Sequence, residues 1–241
     1  MKMKSVVFFL VFALIANVGF GGGAVESVGD CKVDAEGYTP IFDGKTLKGW
    51  SVKGGENRFA VEDGCIVGRG VPSKIGINTF LVTEKNYGDF DLKVDFKIFN
   101  GNSGVQFCST DKLSRFPPRR LVYGYQAEIT PNGASTGRIY DEERRGYVNG
   151  KIWLDTDLTP KARLDAAKAS FNKEGWNEMR VVCRGSNIKT YLNGNPVVDM
   201  DDDLDKSGFI GLQVHFQKCP KEGEKFVPGV VMFKNVRIKE L

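Results

Sequence analysis

The 241-residue chain contains only one histidine, His215, and its five cysteines include no CxxC pair. This spacing disfavours a zinc knuckle and a thioredoxin-like redox site. The motifs GxSxG and HExxH are absent, as are a Walker motif and a GxGxxG motif in a suitable context. The common serine-hydrolase, zinc-protease and nucleotide-binding sites are therefore not indicated.

The sequence also lacks a strong charge of one sign. Its formal net charge is +4 at pH 7, and no compact stripe of Lys and Arg is present. Nucleic acid is therefore not an expected partner. The 29 glycines are aperiodic and 41% of the residues are hydrophobic, which excludes collagen and disfavours disorder and a coiled coil. The length suits one globular domain.

The one long apolar run lies at the N-terminus. Lys2 and Lys4 precede it, and small residues follow it up to Ala24. This order is typical of a secretory signal peptide, here residues 1–24, so we expect an exported protein in the periplasm or outside the cell. The run is short for a membrane span, so no stable membrane anchor is expected. An uncleaved anchor is the alternative.

The rest of the chain is predicted to consist of a short N-terminal segment, residues 25–37, and one domain, residues 38–241. All five cysteines lie in these two parts: Cys31, Cys65, Cys108, Cys183 and Cys219. An oxidising compartment permits disulfides, but an odd count leaves the pairing open. We expect most of them to pack in the core or to form bridges, because no local signature of a catalytic thiol is present.

Alternation of apolar and polar residues is the main pattern in this domain. Phe90–Ile98 alternates throughout, which predicts an antiparallel strand with one face in solvent. Asn193-Gly194 and Asp63-Gly64 each separate two apolar runs and predict hairpins. Only Thr159–Ser170 predicts a helix. Many short strands with little helix predict an all-β sandwich or jelly roll of two antiparallel sheets.

Alternation also places polar side chains together on the solvent side of three strands, as pairs two residues apart: Gln126 with Glu128, Gln213 with His215, and Arg138 with Tyr140. Amide, carboxylate and aromatic groups on one sheet face are typical of a sugar-binding platform. An ordinary solvated sheet face is the alternative interpretation.

Titratable groups on or near this face are candidates for chemistry. Glu128 and the lone His215 could act as a general base, while a structural role for the histidine is the alternative. The charged segment Tyr140–Arg145 follows a platform strand and could reach its cleft, or it could be a solvated loop. The acidic run Asp199–Asp205 fails the calcium-loop pattern, because Leu204 replaces the required glycine, and is predicted to be a solvated turn.

An ordered set of motifs covers residues 38 to 241. It begins with PIFDGKTLKGW at Pro40–Trp50 and continues through Val61–Gly64, Tyr87–Leu92, Gly101–Val105, Gly124–Ile129, Gly137–Glu142, Arg144-Arg145, Trp176-Asn177, Val182–Gly185, Tyr191–Gly194, Gly211–His215 and Phe233–Ile238. In this order the motifs resemble those of the 3-keto-disaccharide hydrolase domain family.

The resemblance implies a concanavalin-A-like jelly roll, with one short helical insert in this chain. It also implies an exported enzyme that acts on glycosides already oxidised to a ketone at sugar C3. Two departures from the family pattern stand out. Glu128 stands where Asp is commoner, and the insert Val148–Asn172 contains the predicted helix, so the shape of the cleft and the size of its substrate stay open.

The implied chemistry is removal of the acidified C2 proton, elimination of the C1 oxygen and addition of water. Such a site needs a base, a positive group at the enolate and an acid. We expect Glu128 or His215 as the base, Arg138 or a divalent cation at the enolate, and Asp141 or Glu142 as the acid or a metal ligand. The expected substrate contacts are Asn102, Gln126, Arg138, Tyr140, Glu142, Arg145 and Gln213.

Other functions fit the same fold. A non-catalytic carbohydrate-binding module needs only the platform and would bind an oligosaccharide or glycoside without turnover. A conventional two-carboxylate glycosidase is disfavoured, because the Glu-x-Asp-x-(x)-Glu strand of jelly-roll glucanases is absent. A structural protein of the cell envelope is the remaining alternative.

Overall fold

The computed structural model describes residues 33–115, 118–145 and 152–241. The predicted signal peptide lies outside these ranges and stays a prediction. Cys31 also lies outside them. All described strands lie in one compact unit within residues 31–241. No helix within the described ranges is long and apolar enough to cross a membrane.

The described chain consists of short strands and one helix. In order these are β1 (Thr39–Pro40), β2 (Trp50–Gly54), β3 (Arg58–Glu62), β4 (Cys65–Arg69), β5 (Pro72–Ser73), β6 (Thr79–Tyr87), β7 (Phe90–Asn100), β8 (Ser103–Leu113), β9 (Arg120–Ile129), β10 (Ile139–Glu142), α1 (Lys161–Ser170), β11 (Asn177–Arg184), β12 (Asn187–Leu192), β13 (Asn195–Asp201), β14 (Gly208–Val214), β15 (Gln217–Lys218) and β16 (Val230–Glu240).

Two antiparallel sheets form a sandwich. Sheet A has the strand order β13-β12-β11-β7-β16-β4-β3, with β1 paired to β16, and sheet B has the order β10-β9-β8-β14-β6-β2. The small pair β5 and β15 is parallel. Many neighbours in each sheet are distant in the sequence, as in a jelly roll, so the predicted all-β jelly roll is confirmed.

The apolar faces of the two sheets meet in one core. Phe90 on sheet A packs edge-to-face on Phe107 of sheet B, with ring centroids 6.5 Å apart, and Phe107 stacks on Tyr125 at 5.7 Å. All three side chains have no exposed surface. Burying each ring stabilises the fold by roughly 2–3 kcal/mol, and the aromatic pairs add directional contacts.

The predicted turns and helix are found with small differences in their bounds. Asn193 and Gly194 adopt φ angles of 50° and 80° between β12 and β13, as a two-residue hairpin turn requires. Asp63-Gly64 joins β3 to β4 in the same manner. Helix α1 begins at Lys161 rather than Thr159, because Pro160 has an extended backbone and lies at the N-cap position.

The four described cysteines are free thiols. Cys65, Cys108 and Cys183 are buried, whereas Cys219 is exposed. A hydrogen bond with Cys108 and burial raise the pKa of Cys183 well above its usual value. Cys108 of sheet B and Cys183 of sheet A therefore meet in the core as small packing residues, in agreement with the expected structural role.

The acidic run after β13 differs from the prediction. Asp202 accepts hydrogen bonds from Tyr125 and from Arg145 Nη1, the latter at 2.9 Å, and Asp205 forms an ion pair with Arg144. The interpretation of this run as a solvated turn is therefore wrong for these two carboxylates. They connect the chain between β13 and β14 to the segment that follows β10.

Candidate functional site

A cavity of about 170 Å³ opens on the face of sheet B that points away from the core. Seven of the ten residues expected at the site line it: Asn102, Gln126, Glu128, Tyr140, Glu142, Gln213 and His215. Asn78, Ile152 and Trp153 complete the lining. The alternation read from the sequence therefore brings most of the predicted polar side chains into one cleft.

Strand pairing explains how these side chains meet. Tyr140 on β10 pairs with Gln126 on β9, and Gly104 on β8 pairs with Glu128 on β9. Gly104 has no side chain, and a Cβ atom there would overlap the Gln126 side chain. The glycine thus gives the Gln126 amide room above β8, beside the Glu128 carboxyl.

Glu128 is a buried carboxyl held by two amides. Asn102 donates from Nδ2 to Oε1, and Gln126 donates from Nε2 to Oε2 at 2.9 Å. Burial raises the pKa of Glu128 to about 7, although both amide hydrogen bonds favour the ionised form. This carboxyl therefore titrates near neutral pH, where a general base is most useful.

Glu142 is a second buried carboxyl in the cleft. Its Oε1 accepts a hydrogen bond from Asn78 Nδ2 at 2.7 Å, while its Oε2 has no partner among the described residues. Burial, together with the negative charges of Glu143, Glu128 and Asp141, raises the pKa of Glu142 to about 8, against the opposing effect of the Asn78 hydrogen bond. Two buried carboxyls in one cleft can serve as a base and an acid when one is ionised and the other is protonated.

His215 is held in one tautomer. Its Nδ1 lies 2.8 Å from the Phe216 carbonyl oxygen, which can only accept, so the proton resides on Nδ1 and the Nε2 lone pair stays free. Burial lowers the pKa of His215, which keeps the ring neutral. The backbone N–H of His215 also donates to the Asn102 carbonyl oxygen at 3.3 Å.

Several buried polar atoms in the cleft have no hydrogen-bond partner within the described structure. They are Gln126 Oε1, Glu142 Oε2, and both Oε1 and Nε2 of Gln213. Each such group costs roughly 1–3 kcal/mol when it is buried without a partner. A ligand rich in hydroxyl groups would satisfy these atoms, because each hydroxyl both donates and accepts.

The insert supplies one wall of the cleft. The Trp153 ring packs edge-to-face on Tyr140 with centroids 6.3 Å apart. Buried Asp155 fixes this segment on β10, since it accepts the Ile139 N–H at 3.1 Å and Arg138 Nε at 3.0 Å. The insert thus contributes an aromatic surface to the cavity.

Three expected site residues lie elsewhere. Arg138 does not line the cavity, because it pairs with Asp155 and lies over the Trp153 ring at 5.3 Å. Arg138 therefore supports the cleft wall, and it does not have the position that was expected for a group at the enolate. Asp141 and Arg145 pair with each other, and Arg145 also binds Asp202.

The strand alternation explains the position of Asp141. Ile139 and Asp141 point into the sandwich and have no exposed surface, whereas Tyr140 and Glu142 point into the cleft. Asp141 therefore contacts two arginines instead of substrate, and the expectation that it acts as acid or metal ligand does not fit this position.

Sequence reasoning missed Asn78, Ile152 and Trp153. Asn78 immediately precedes β6 and lies two residues before Phe80, which pairs with Gln213, so strand parity could have identified it. Ile152 and Trp153 belong to the irregular part of the insert, where no periodic pattern exists. Their place in the cleft depends on the tertiary contact through Asp155.

The donors of the cleft bear on the divalent cation that was the alternative to Arg138 at the enolate. Within residues 33–115, 118–145 and 152–241, no three His, Cys, Asp or Glu side chains group together as metal ligands. The cleft carboxyls are instead bound to the amides of Asn78, Asn102 and Gln126. This donor set does not fit a divalent cation, and no step is assigned to one.

Comparison with protein families gives one match over most of the chain. The family described as 3-keto-alpha-glucoside-1,2-lyase-like domain matches residues 37–239. The 3-keto-disaccharide hydrolase of Bacteroides thetaiotaomicron is 33% identical over 90 residues, which are 34% of this chain and 31% of that protein. The match thus spans about a third of the length of that relative.

Two solved structures share the fold. A candidate glycosyl hydrolase from Parabacteroides distasonis superposes with a TM-score of 0.54 at 23% identity, covering 86% of this chain and 95% of that one. The carbohydrate-binding module CBM66 from Bacillus subtilis superposes with a TM-score of 0.50 at 19% identity, covering 80% and 96%. At these identities the similarity concerns the fold alone.

Proposed function

Because the chain belongs to the family of 3-keto-alpha-glucoside-1,2-lyase-like domains, we propose that it cleaves 3-keto-glycosides by elimination. The C3 ketone acidifies the C2 proton. A base removes that proton, the resulting enolate expels the C1 oxygen to leave a C1–C2 double bond, and addition of water completes a net hydrolysis. A carbohydrate substrate agrees with the unpartnered polar atoms of the cleft.

One observation carries the proposal. Glu128 and Glu142 line the same cavity, and burial raises their pKa values to about 7 and about 8. The negative charge of Glu128 also raises the pKa of Glu142, so ionisation of Glu128 favours the protonated form of Glu142. Elimination needs this combination of one base and one acid in a single cleft.

Glu128 is assigned as the base. Its carboxylate accepts hydrogen bonds from Asn102 and Gln126, which fix its orientation without protonating it. His215 is the weaker candidate, because burial lowers its pKa. The free Nε2 of His215 suits it to accept a hydrogen bond from a sugar hydroxyl.

Glu142 is assigned as the acid that donates its proton to the departing C1 oxygen. The enolate oxygen needs a hydrogen-bond donor, and the Gln213 side-chain amide has no partner in the described structure. Gln213 takes the role that was expected of Arg138. Preorganised donors of this type typically contribute about 2.7–4 kcal/mol to stabilising a developing oxyanion.

The test compares a 3-keto-glucoside with its unoxidised parent and follows release of the aglycone. The proposal predicts release from the ketone alone, with loss of release in Glu128→Gln. Release from both compounds would indicate an ordinary glycosidase. Binding of both without release would indicate a sugar-binding module, and either result contradicts the proposal.

We also propose that the protein is exported after removal of residues 1–24. Cell fractionation with N-terminal sequencing tests this point separately from the chemistry. A mature N-terminus near residue 25 in the periplasmic or extracellular fraction is expected. Full-length protein in the cytoplasm would contradict it.

A further inference from the structure

A second cavity, of about 200 Å³, adjoins the candidate site. Asn102 and His215 line both cavities, and the His215 N–H donates to the Asn102 carbonyl oxygen at 3.3 Å. These two hydrogen-bonded residues therefore form a shared wall. A ligand that extends beyond the first cavity past this wall would enter the second one.

The second cavity has mainly apolar side chains. Val214 and Val231 are buried in its floor, and Phe216 and Val230 are partly exposed within it. The Phe216 ring also stacks on His215, with centroids 4.7 Å apart and an interplanar angle of 25°. Apolar groups from β14 and β16 thus approach the wall on the side of the second cavity.

The polar side chains of this lining are occupied by the chain itself. Asn100 Oδ1 accepts the Gly101 N–H at 2.8 Å, and Gln217 Oε1 accepts the Gly229 N–H at 2.6 Å. Gln217 Nε2 donates to the Val227 carbonyl oxygen at 3.3 Å. Among the residues that the structure describes, His215 is the one titratable residue that lines this cavity. A ligand here meets mostly hydrocarbon.

The contrast with the first cavity is chemical. There, buried amide and carboxyl atoms of Gln126, Glu142 and Gln213 have no partner and suit a polyol. In the second cavity, a sugar would lose water from its hydroxyls and find few free partners, which disfavours its binding there. An aryl or alkyl group has no such cost.

We propose that the second cavity binds the leaving group of the 3-keto-glycoside and favours an apolar aglycone, above all an aryl group, over a second sugar. This inference rests on the proposed function, since it places the oxidised sugar in the first cavity. The scissile C1–O bond then lies at the wall formed by Asn102 and His215. Val230, Phe216 and Val231 determine the specificity for the aglycone.

Val230→Trp tests the proposal by filling the second cavity. The readout is kcat/KM for 4-nitrophenyl 3-keto-glucoside divided by kcat/KM for methyl 3-keto-glucoside. Because both values are measured on the same variant, a general loss of activity cancels in the ratio. This ratio should fall by about tenfold or more, as expected for loss of the site for one ring. Val52→Trp places the same side chain at an exposed position on β2 and should leave the ratio unchanged.

Two results would overturn the proposal. One is an unchanged ratio in a Val230→Trp protein with the normal unfolding temperature. The other is an equal fall in the ratio of kcat/KM for a 3-keto-disaccharide to kcat/KM for the methyl compound. The cavity would then accept sugars as well as aryl groups.

A failure of the proposed chemistry is recognised separately. If the wild-type protein releases no leaving group from any 3-keto-glucoside, calorimetric titration with phenyl and methyl glucosides tests the cavity directly. Wild-type protein should bind the phenyl compound about tenfold more tightly, and Val230→Trp should abolish the difference. Equal binding of the two compounds by wild-type protein would overturn the assignment of the cavity.

Discussion

Asn78 links the acid of the cleft to the segment after β14 that contains His215 and Phe216. Its Nδ2 donates to Glu142 Oε1 at 2.7 Å, and its Oδ1 accepts the Phe216 N–H at 3.0 Å. The amide hydrogen bond favours the ionised form of Glu142 and lowers its pKa against the opposing effect of burial. Asn78 is therefore a positioning residue that sets how readily Glu142 holds its proton.

The first prediction concerns Asn78→Ala. In the wild-type protein, kcat/KM should rise through about pH 7 as Glu128 ionises and fall above about pH 8 as Glu142 loses its proton. Without the Asn78 donor, the pKa of Glu142 rises, so the alkaline limb should move to higher pH while the acid limb stays in place. A pH–rate profile measures both limbs. An alkaline limb that does not move would contradict the role of Glu142 as the acid.

The second prediction concerns the stability of Glu128→Gln. The pKa of Glu128 is raised from 4.5 to about 7 in the folded protein, so its folded state binds more protons than its unfolded state. The contribution of this proton binding to the free energy of unfolding is fully present below pH 4.5 and is lost as the pH rises through about 7. The uncharged variant has no such loss. Its stability relative to wild type should therefore rise with pH by roughly 1.4 kcal/mol per unit within this window.

Urea unfolding at several pH values between 4.5 and 8 measures this difference. Glu84→Gln, at an exposed position on β6, is the matched control for the chemical change. Parallel stability curves for Glu128→Gln and wild type would show that the carboxyl does not titrate in this range.

The third prediction concerns the ion pairs beside the cleft. Asp141 has no exposed surface and pairs with Arg144 and Arg145. Asp141→Asn removes one charged partner from each guanidinium group, while Asp205 still pairs with Arg144 and Asp202 with Arg145. We expect the free energy of unfolding to fall by roughly 1.5–3 kcal/mol, because hydrogen bonds to a buried charged group are lost. Asp165→Asn removes the exposed pair with Lys161 on α1 and should cost less than about 1 kcal/mol.

Denaturant unfolding of the two variants at equal pH decides this point. Activity per folded molecule should be retained in Asp141→Asn, because the side chain faces the core. Loss of turnover in a fully folded variant would instead place Asp141 in the chemistry.

The fourth prediction concerns the thiols. Cys219 is exposed, whereas Cys65, Cys108 and Cys183 are buried. Only the thiolate reacts readily, and the raised pKa of Cys183 reduces that form further. A maleimide reagent should therefore label Cys219 in the native protein and reach the three buried residues only after denaturation. Peptide mass spectrometry locates the label, and native labelling of Cys183 as fast as that of Cys219 would refute the burial.

The sequence contains enough local information for the sheets and for much of the cleft. A strand has a period of two, so the sides of Gln126, Glu128, Gln213 and His215 follow from their immediate neighbours. The same rule, applied to Tyr140 and Asp141, would have placed Asp141 in the core. The charge of Asp141 favours a catalytic interpretation when the sequence is read alone. In the structure, that charge is balanced by Arg144 and Arg145.

The remaining parts of the site depend on long-range contacts. Trp153 reaches the cleft because Asp155 binds Arg138 and the Ile139 N–H. The segment around Trp153 has no periodicity that could indicate a direction for its side chains. The raised pKa values of Glu128 and Glu142 likewise come from burial in the assembled sandwich, which no local pattern reports.

The most direct test of the central claim is the isotope effect at C2. Wild-type protein is supplied with a 3-keto-glucoside that carries either hydrogen or deuterium at C2, and kcat/KM for aglycone release is compared. Removal of this proton by Glu128 predicts markedly slower release from the deuterated compound, with solvent deuterium entering C2 when hydrated product forms in heavy water. Equal rates for the two compounds, with no deuterium entering C2, would contradict the elimination mechanism.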